Sequence, residues 1–398
     1  MRNIIGSPVE GEDFFDRPKI VANLLRELRD NQANILLVAP RRVGKTSLIL
    51  RICEEWKKDP HKKAVFLNIE GCGDELAFAE KLINELMETG FNPDLINRAK
   101  RIIENVRKMI GLKSIKYEGL NVDLGDASED DLRTLGKVLE SIFRKIEEGT
   151  DNVLIALDES PELLLTLKKS DEIAGPKRVV SFLHWLRDMR QTYRYKIRWV
   201  FLGSIGLDNF VSNHNIHYLI NDFQLFSLDA FTPKEADDFL KKLCTSSNPL
   251  ITLNKSKRTE IIRRVGWPLA YHLHLVFHEL LNSKPLSVTA AFDSLLKPEN
   301  LAYFDTWRER IDAQFSEPDA AACKEILIQA CQDPDGCDRG QFLAVLMTKP
   351  SADVEIVDER LSSLLIILER DGYLIRKDSR YAFRSFLLRD YWKRIHDL

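Results

Sequence analysis

The stretch LLVAPRRVGKTSLI, Leu36 to Ile49, constrains this chain more than any other: an apolar run breaks into a short basic turn and resumes as a helical pattern. Strand, turn and helix in that order can aim backbone N–H groups at a polyanion, and the turn carries the other parts of a phosphate cradle. Gly44 lets the backbone approach a phosphate closely, Lys45 supplies charge for the terminal phosphates, and Thr46 offers a hydroxyl to Mg²⁺. A helix running on from Lys45 places its N-terminal dipole behind the anion. Ala39 stands where the pattern G-x-x-x-x-G-K-[ST] has its first glycine; alanine is the smallest step away from it, and Pro40 then stiffens the turn. The expected nucleotide-binding segment is therefore Ala39, Pro40, Arg41, Arg42, Val43, Gly44, Lys45, Thr46 and Ser47. Arg41 and Arg42 face the nucleotide, a neighbouring subunit or solvent, and the sequence does not choose among these.

A phosphate loop needs a carboxylate to hold Mg²⁺, and hydrolysis needs a second one to orient or deprotonate the attacking water. NVLIALDESPELL offers an Asp-Glu pair just past an apolar strand. Asp158 is expected to serve the metal and Glu159 the water, because neighbouring residues at a strand end point in different directions. No guanine-specifying N-K-x-D stands out, which favours ATP over GTP.

Around these motifs the first half alternates short apolar runs with longer helical patterns, the mark of an α/β fold with a parallel sheet. Four runs read as buried strands: NILLVA, AVFLNI, NVLIALD and IRWVFLG, at residues 34–39, 64–69, 152–158 and 197–203. An insertion at about 90–128 includes SIKYEGLNVDL, an alternating segment whose central Gly119 suggests a hairpin. The core is expected over 1–224. A second, all-helical unit is expected over 225–310, entered through LFSLDAFTPKEADDFL, whose strand-like start at Leu225 leads into Thr232, Pro233 and Glu235, a helix cap, a first-turn proline and the acid three residues after the cap. Over 317–398, three helical patterns, two alternating runs around a polar turn and a last helix outline a winged helix.

The 398 residues are 44% hydrophobic and 30% charged, with a formal charge of −3, so no global field draws the protein to nucleic acid or to an anionic membrane. The start, MRNIIGSPVEGEDF, lacks the basic and apolar regions of a secretory signal, and no apolar run approaches the roughly 18 residues of a membrane helix, so a cytoplasmic protein without a membrane partner is expected. Six scattered cysteines without a C-x-x-C pair read as reduced core thiols. His274 and His278 have the spacing of a metal pair, with His272 close by, but no third ligand presents itself and packing is the expected role.

Phosphate loop, Asp-Glu strand end, fourth strand, helical bundle and winged helix, in that order, resemble the STAND-type P-loop ATPases related to AAA+ proteins, in particular the archaeal and bacterial ATPase group that is also similar to origin-recognition ATPases. The resemblance covers nearly the whole chain. It implies a P-loop NTPase core, ATP and Mg²⁺ as ligands, and catalytic roles for Lys45 and Glu159. FFDRPKIVANLLREL is similar to the group's F-x-G-R-E entry segment, which packs near the adenine; Asp16 replaces the glycine and Pro18 the acid, so Arg17 is the one polar match. FLGSIGL ends the fourth strand where the group has a polar sensor of the terminal phosphate, which makes Ser204 the sensor or merely the start of a turn. VGWPLAYHL resembles the group's G-x-P motif at Gly266 and Pro268, whose proline lies against the nucleotide; the alternative is a plain helix start with proline in its first turn. Arg194 and Arg198 are candidates for an arginine acting across a subunit boundary.

The winged helix leaves two outputs open. Residues 317–398 carry 12 basic and 15 acidic residues, but 370–394 carry eight basic against three acidic, with the turn RKDSR inside that strip. The expected recognition helix, 358–370, offers Asp358, Glu359, Arg360, Ser362, Ser363 and Glu369, a poor set for reading bases. The first expectation is a nucleotide-controlled switch, in which slow ATP hydrolysis to ADP resets self-association or binding of a protein partner. The second is an ATP-dependent initiator-like or transposition-helper protein that grips duplex DNA with its wing.

Overall fold

The computed structural model describes residues 1–15, 17–91, 93–94, 96–97, 99–101, 103–105, 108, 129–203, 216–246, 250–315, 317–347 and 353–397. The hairpin expected at SIKYEGLNVDL, Asp16 and Ser204 lie outside them. Packing divides the chain into two compact units. One comprises Arg17–Val38 and Leu48–Ser227; the other comprises Met1–Asp16, Ala39–Ser47 and Leu228–Leu398.

The first unit is built on a five-stranded, all-parallel sheet of β1 (Asn34–Val38), β2 (Lys62–Asn68), β3 (Asn152–Asp158), β4 (Ile197–Gly203) and β5 (Phe223–Ser227), in the order β2-β3-β4-β1-β5. The four strands expected from their apolar runs are all present. Those runs are long because helices cover both faces of a parallel sheet, and β4 is buried at all seven positions. The fifth strand was expected only as a strand-like start at Leu225; it pairs with β1 at the sheet edge, and its exposed Gln224, Leu225 and Ser227 deprive it of the continuous apolar signal. Helices α1 (Pro18–Arg29), α3 (Glu75–Glu88), α4 (Glu129–Glu148), α5 (Ser160–Lys169) and α6 (Ala174–Thr192) belong to this unit, while α2 (Lys45–Trp56) starts in the phosphate loop. Arg190 of α6, 1% exposed, grips Asp222 with two 2.8 Å hydrogen bonds and Leu219 O with a third, and so fixes the approach to β5.

β4 lies between β1 and β3, and the register sets Val38 beside Gly203 and Leu157 beside Phe201. The carboxyl ends of the three strands therefore line up, which is where open parallel sheets hold their ligands.

The second unit contains α7 (Pro233–Ser246), α8 (Lys255–Val265), α9 (Ala270–Asn282), α10 (Val288–Leu295) and α11 (Ala302–Gln314). The expected cap of α7 is present: Glu235 Oε2 accepts from Thr232 N at 2.8 Å and Glu235 N donates to Thr232 Oγ1 at 3.2 Å. The winged helix follows as α12 (Asp319–Gln332), a short β6 (Cys337–Asp338), α13 (Arg339–Leu346), α14 (Val354–Arg370), the hairpin β7 (Leu374–Lys377) and β8 (Arg380–Phe383), and α15 (Phe386–Ile395), with sheet order β6-β8-β7. α14 starts a turn earlier than 358, because Asp353 caps it by accepting from Glu355 N. The bundle and the winged helix share packing. A Cβ on Gly266 would stand 2.7 Å from the Phe386 ring, and Ser385 Oγ donates to Val265 O at 3.2 Å.

All six cysteines are buried free thiols. No helix among the described residues is long and apolar enough to cross a membrane.

Candidate functional site

The segment 39–47 has the shape its residues demand. Gly44 takes φ +98°, open only to glycine at low cost, and Arg42 takes φ +65°, so the chain reverses tightly before α2 begins at Lys45. Lys45 is 6% exposed, and its Nζ donates to Ala39 O at 3.1 Å and Pro40 O at 3.2 Å. The lysine that would contact phosphate thus closes the loop on its own carbonyls. Such weak neutral acceptors are readily exchanged for a charged one, so the loop fits a phosphate ligand. Val43 is buried, and Ser47 Oγ accepts from Val9 N at 3.0 Å. The Arg42 guanidinium lies 4.5 Å from the centre of the Tyr271 ring and donates to Gly6 O at 3.1 Å. The N-terminal arm around Gly6 and Val9 is therefore part of the loop's setting, and no sequence pattern pointed to it.

At the end of β3, in the other unit, Asp158 is 3% exposed and its Oδ1 accepts from Glu159 N at 3.0 Å. Glu159 sits in the left-handed region at φ 54°, ψ 38°, ahead of α5, and its Oε2 is buried without a hydrogen bond. A non-glycine residue in that region is strained, and such strain persists where the surroundings over-determine it. Two contacts do so. Ser160 Oγ donates to Leu202 O at 3.0 Å, and a Cβ on Gly203 would come within 2.9 Å of Pro161 Cγ, so β4 clamps the turn. The two carboxylates are held differently: Asp158 Oδ1 is folded onto its own turn, and Glu159 Oε2 is buried without a hydrogen bond at the sheet end.

Arg17 precedes α1, where its carbonyl accepts from Ile20 N and Val21 N. Pro268 is not in the first turn of a helix: it precedes Leu269, the cap of α9, and its carbonyl accepts from Phe231 N at 3.2 Å. Gly266 combines φ +75° with its close contact to Phe386, so this position requires glycine. Arg198 does not reach outward. It is 5% exposed, donates to the carbonyls of Arg194, Ile197 and Tyr195, and lies with exposed Arg194 at the amino end of β4, opposite the ligand end of the sheet.

His272 and His274 are core residues. Burial pushes both down to about 4, and His274 Nδ1 lies 2.6 Å from Asn3 Oδ1. No group of three His, Cys, Asp or Glu residues able to hold a metal occurs among the described residues. On the winged helix, three of the strip's arginines are paired with acids: Arg380 with Asp333 at 2.9 Å, Arg384 with Asp229 at 2.5 Å and Arg389 with Asp390 at 2.9 Å. The outer face of α14 exposes Ile356 and Ile366, at 65% and 49%, where a DNA reader would carry polar side chains.

No protein-family model matches the chain, and no curated protein does. Solved structures do match along its whole length. A Walker-type ATPase of Pyrococcus abyssi superposes with a TM-score of 0.64 at 17% identity, covering 99% of this chain and 100% of its own. The ORC2 protein of Aeropyrum pernix superposes with a TM-score of 0.55 in its ADPNP-ADP complexes and 0.51 in its ADP form, at 12% identity, covering 98% and 100% of this chain and 96% and 97% of theirs. The chain shares the fold of the Walker-type ATPase and of ORC2; in this chain an α/β core is followed by a helical bundle and a winged helix.

Proposed function

We propose that this protein binds ATP with Mg²⁺ at the loop 39–47, hydrolyses it slowly, and uses nucleotide state to control self-association or the binding of a protein partner. The observation that carries the reading is the loop itself, in which Gly44 and Arg42 at positive φ deliver a buried Lys45 to the start of a twelve-residue helix. Lys45 would leave Ala39 O and Pro40 O for the terminal phosphates, with Ala39–Val43 lining them, Thr46 and Asp158 taking Mg²⁺, and Ser47 completing the first helical turn. Bound Mg²⁺ would neutralise charge on the phosphates. Glu159 would orient and deprotonate the attacking water; the strain and the unpartnered Oε2 support that role. Ser204 is the proposed phosphate sensor, and Arg17 and Pro268 are proposed to flank the base. The working parts are a core over 1–224, a lid bundle over 225–310 and the winged helix over 317–398.

The reading is tested by Lys45→Ala. Loss of a charge-assisted contact to phosphate should weaken ATP binding by about 100-fold and abolish Mg²⁺-dependent hydrolysis, as read by calorimetry and phosphate release. Equal binding by variant and wild type would remove the loop as the nucleotide site. Particle mass with ADP and with a non-hydrolysable analogue then tests the switch, since identical masses would leave self-association without nucleotide control. The second reading, duplex DNA, has support from exposed Arg376 and Lys377 at the wing. It requires binding of a DNA duplex that weakens with salt in the presence of ATP, and absence of binding at low salt would eliminate it.

A further inference from the structure

The end strands of an open sheet present unpaired N–H and C=O groups to any second strand, and proteins guard them with charge, above all with lysine. The two edges of the five-stranded sheet are guarded unequally. β2 opens on Lys62 and Lys63, whose ammonium groups each lie 3.1 Å from an acid, Asp59 and Asp151. β5 reads FQLFS and carries neither a charged residue nor a proline. The acid just before it, Asp222, is turned inward onto Arg190 at 2.8 Å. Among the described residues β1 is the one strand that pairs with β5, so alternate backbone groups of β5 point away from the sheet. The register adds a second feature. Leu67, Leu157, Phe201, Leu36 and Leu225 stand side by side on the five strands, a single apolar row crossing the whole sheet on one face. The first four are buried, whereas Leu225, at the centre of β5, is 66% exposed. The row therefore runs out of the core and ends uncovered at the unguarded edge.

We propose that β5 is the surface through which this protein associates with itself, a second copy adding its own β5 antiparallel to the first. The strand is complementary to itself. About a two-fold axis normal to the sheet at Leu225, antiparallel pairing sets Leu225 opposite Leu225 of the second copy, Gln224 opposite Phe226 and Phe223 opposite Ser227, and brings no like charges together. The apolar row then continues through the same residues of the second copy in reverse order, and the exposed leucine acquires the neighbour it lacks. Addition to β2 instead would place an apolar strand beside Lys62 and Lys63, which resist it. The join rests on the self-association part of the nucleotide reading and names its surface. A five-residue strand pair is small beside the interface of a permanent dimer, which suits an association that nucleotide state turns on and off.

The test uses the full chain with ADP and with ATPγS, as wild type, Leu225→Lys and Leu225→Glu. The side chain is at the surface, so both variants should keep the melting temperature and the ATPγS affinity of wild type. Like charges set opposite each other should weaken self-association of either variant at least about tenfold in sedimentation equilibrium, and an equimolar mixture of the two should restore it, since opposite charges then meet. In wild type, association should slow amide hydrogen exchange over 223–227 and leave exchange over 62–68 in β2 constant. Variants that associate as tightly as wild type overturn the join, and so does a mixture as weak as its components. Wild type that associates with unchanged exchange over 223–227 overturns it without recourse to a variant. Wild type that stays monomeric with both nucleotides ends the self-association reading, and the join with it, while leaving nucleotide binding at the loop untouched.

Discussion

Two turns, each opening on a buried aspartate, hold their carboxylates in opposite ways. The turn Asp158–Pro161 ends a parallel strand, and the turn Asp371–Tyr373 ends a helix of the winged domain; each contains a residue at positive φ and a carboxylate oxygen with no hydrogen bond. In the first the positive φ falls on Glu159, where it costs strain, and the lone oxygen belongs to the strained residue. In the second the positive φ falls on Gly372, where it costs little, and the lone oxygens belong to the fully enclosed neighbour. The first turn stores strain in its backbone, and the second stores the cost of a buried charge.

The largest effect that would separate the turns is kinetic. Glu159→Gln keeps size and backbone but cannot accept the proton of the attacking water, so single-turnover hydrolysis should fall by roughly 10²- to 10³-fold while ATP affinity is retained. Equal rates in variant and wild type would remove Glu159 as the base and the contrast with it. The matching change in the other turn, Gly372→Ala, should leave chemistry alone and cost stability. A Cβ 2.4 Å from the Trp267 ring, at a φ that alanine resists, should lower unfolding free energy by about 2–4 kcal/mol in urea titration.

Acid sharpens the comparison at smaller scale. His272 and His274 both lie in the unit of the second turn, and burial lowers both to about 4. Their ordinary value is near 6.5, so below it the unfolded chain takes up protons that the folded unit refuses. The stability they support is complete above about 6.5 and declines as pH falls toward 4, at about 1.4 kcal/mol per pH unit for each histidine. Denaturation followed from pH 7 to pH 5 should show the helical unit loosening while the sheet unit holds, and His274→Gln should flatten the slope. A slope unchanged in that variant would mean that His274 is protonated without unfolding.

The first turn was legible in the sequence and the second was not. Asp158 and Glu159 follow an apolar run, and the phosphate loop packs Gly44, Lys45 and Thr46 side by side, because that chemistry needs adjacent residues. The cap at Thr232 and Glu235 was legible for the same reason. Arg310, Pro40 and Lys45, the neighbours of the turn at Asp371, are gathered by the fold from distant parts of the chain. Val9 on Ser47, Arg42 on Tyr271 and Arg190 on Asp222 are hidden likewise. Arg198 was misjudged as a candidate for reaching a neighbouring subunit because a sequence shows its charge but not its inward direction. β5 was half-read because an edge strand exposes the side chains that would have marked it.

The smallest prediction bears on the claim about strain most directly. Glycine takes φ 54° freely and is tolerated ahead of a helix, so Glu159→Gly should relieve about 1 kcal/mol and raise the melting temperature by about 2–4 °C while abolishing hydrolysis. It also removes the lone buried Oε2, which works in the same direction. Scanning calorimetry of the unliganded protein measures the shift. A melting temperature that falls would show that the Glu159 side chain stabilises its own turn; the strain would then be offset locally rather than carried by the clamp of Ser160 and Gly203, and the left-handed backbone would no longer distinguish a residue held for chemistry from one held for packing.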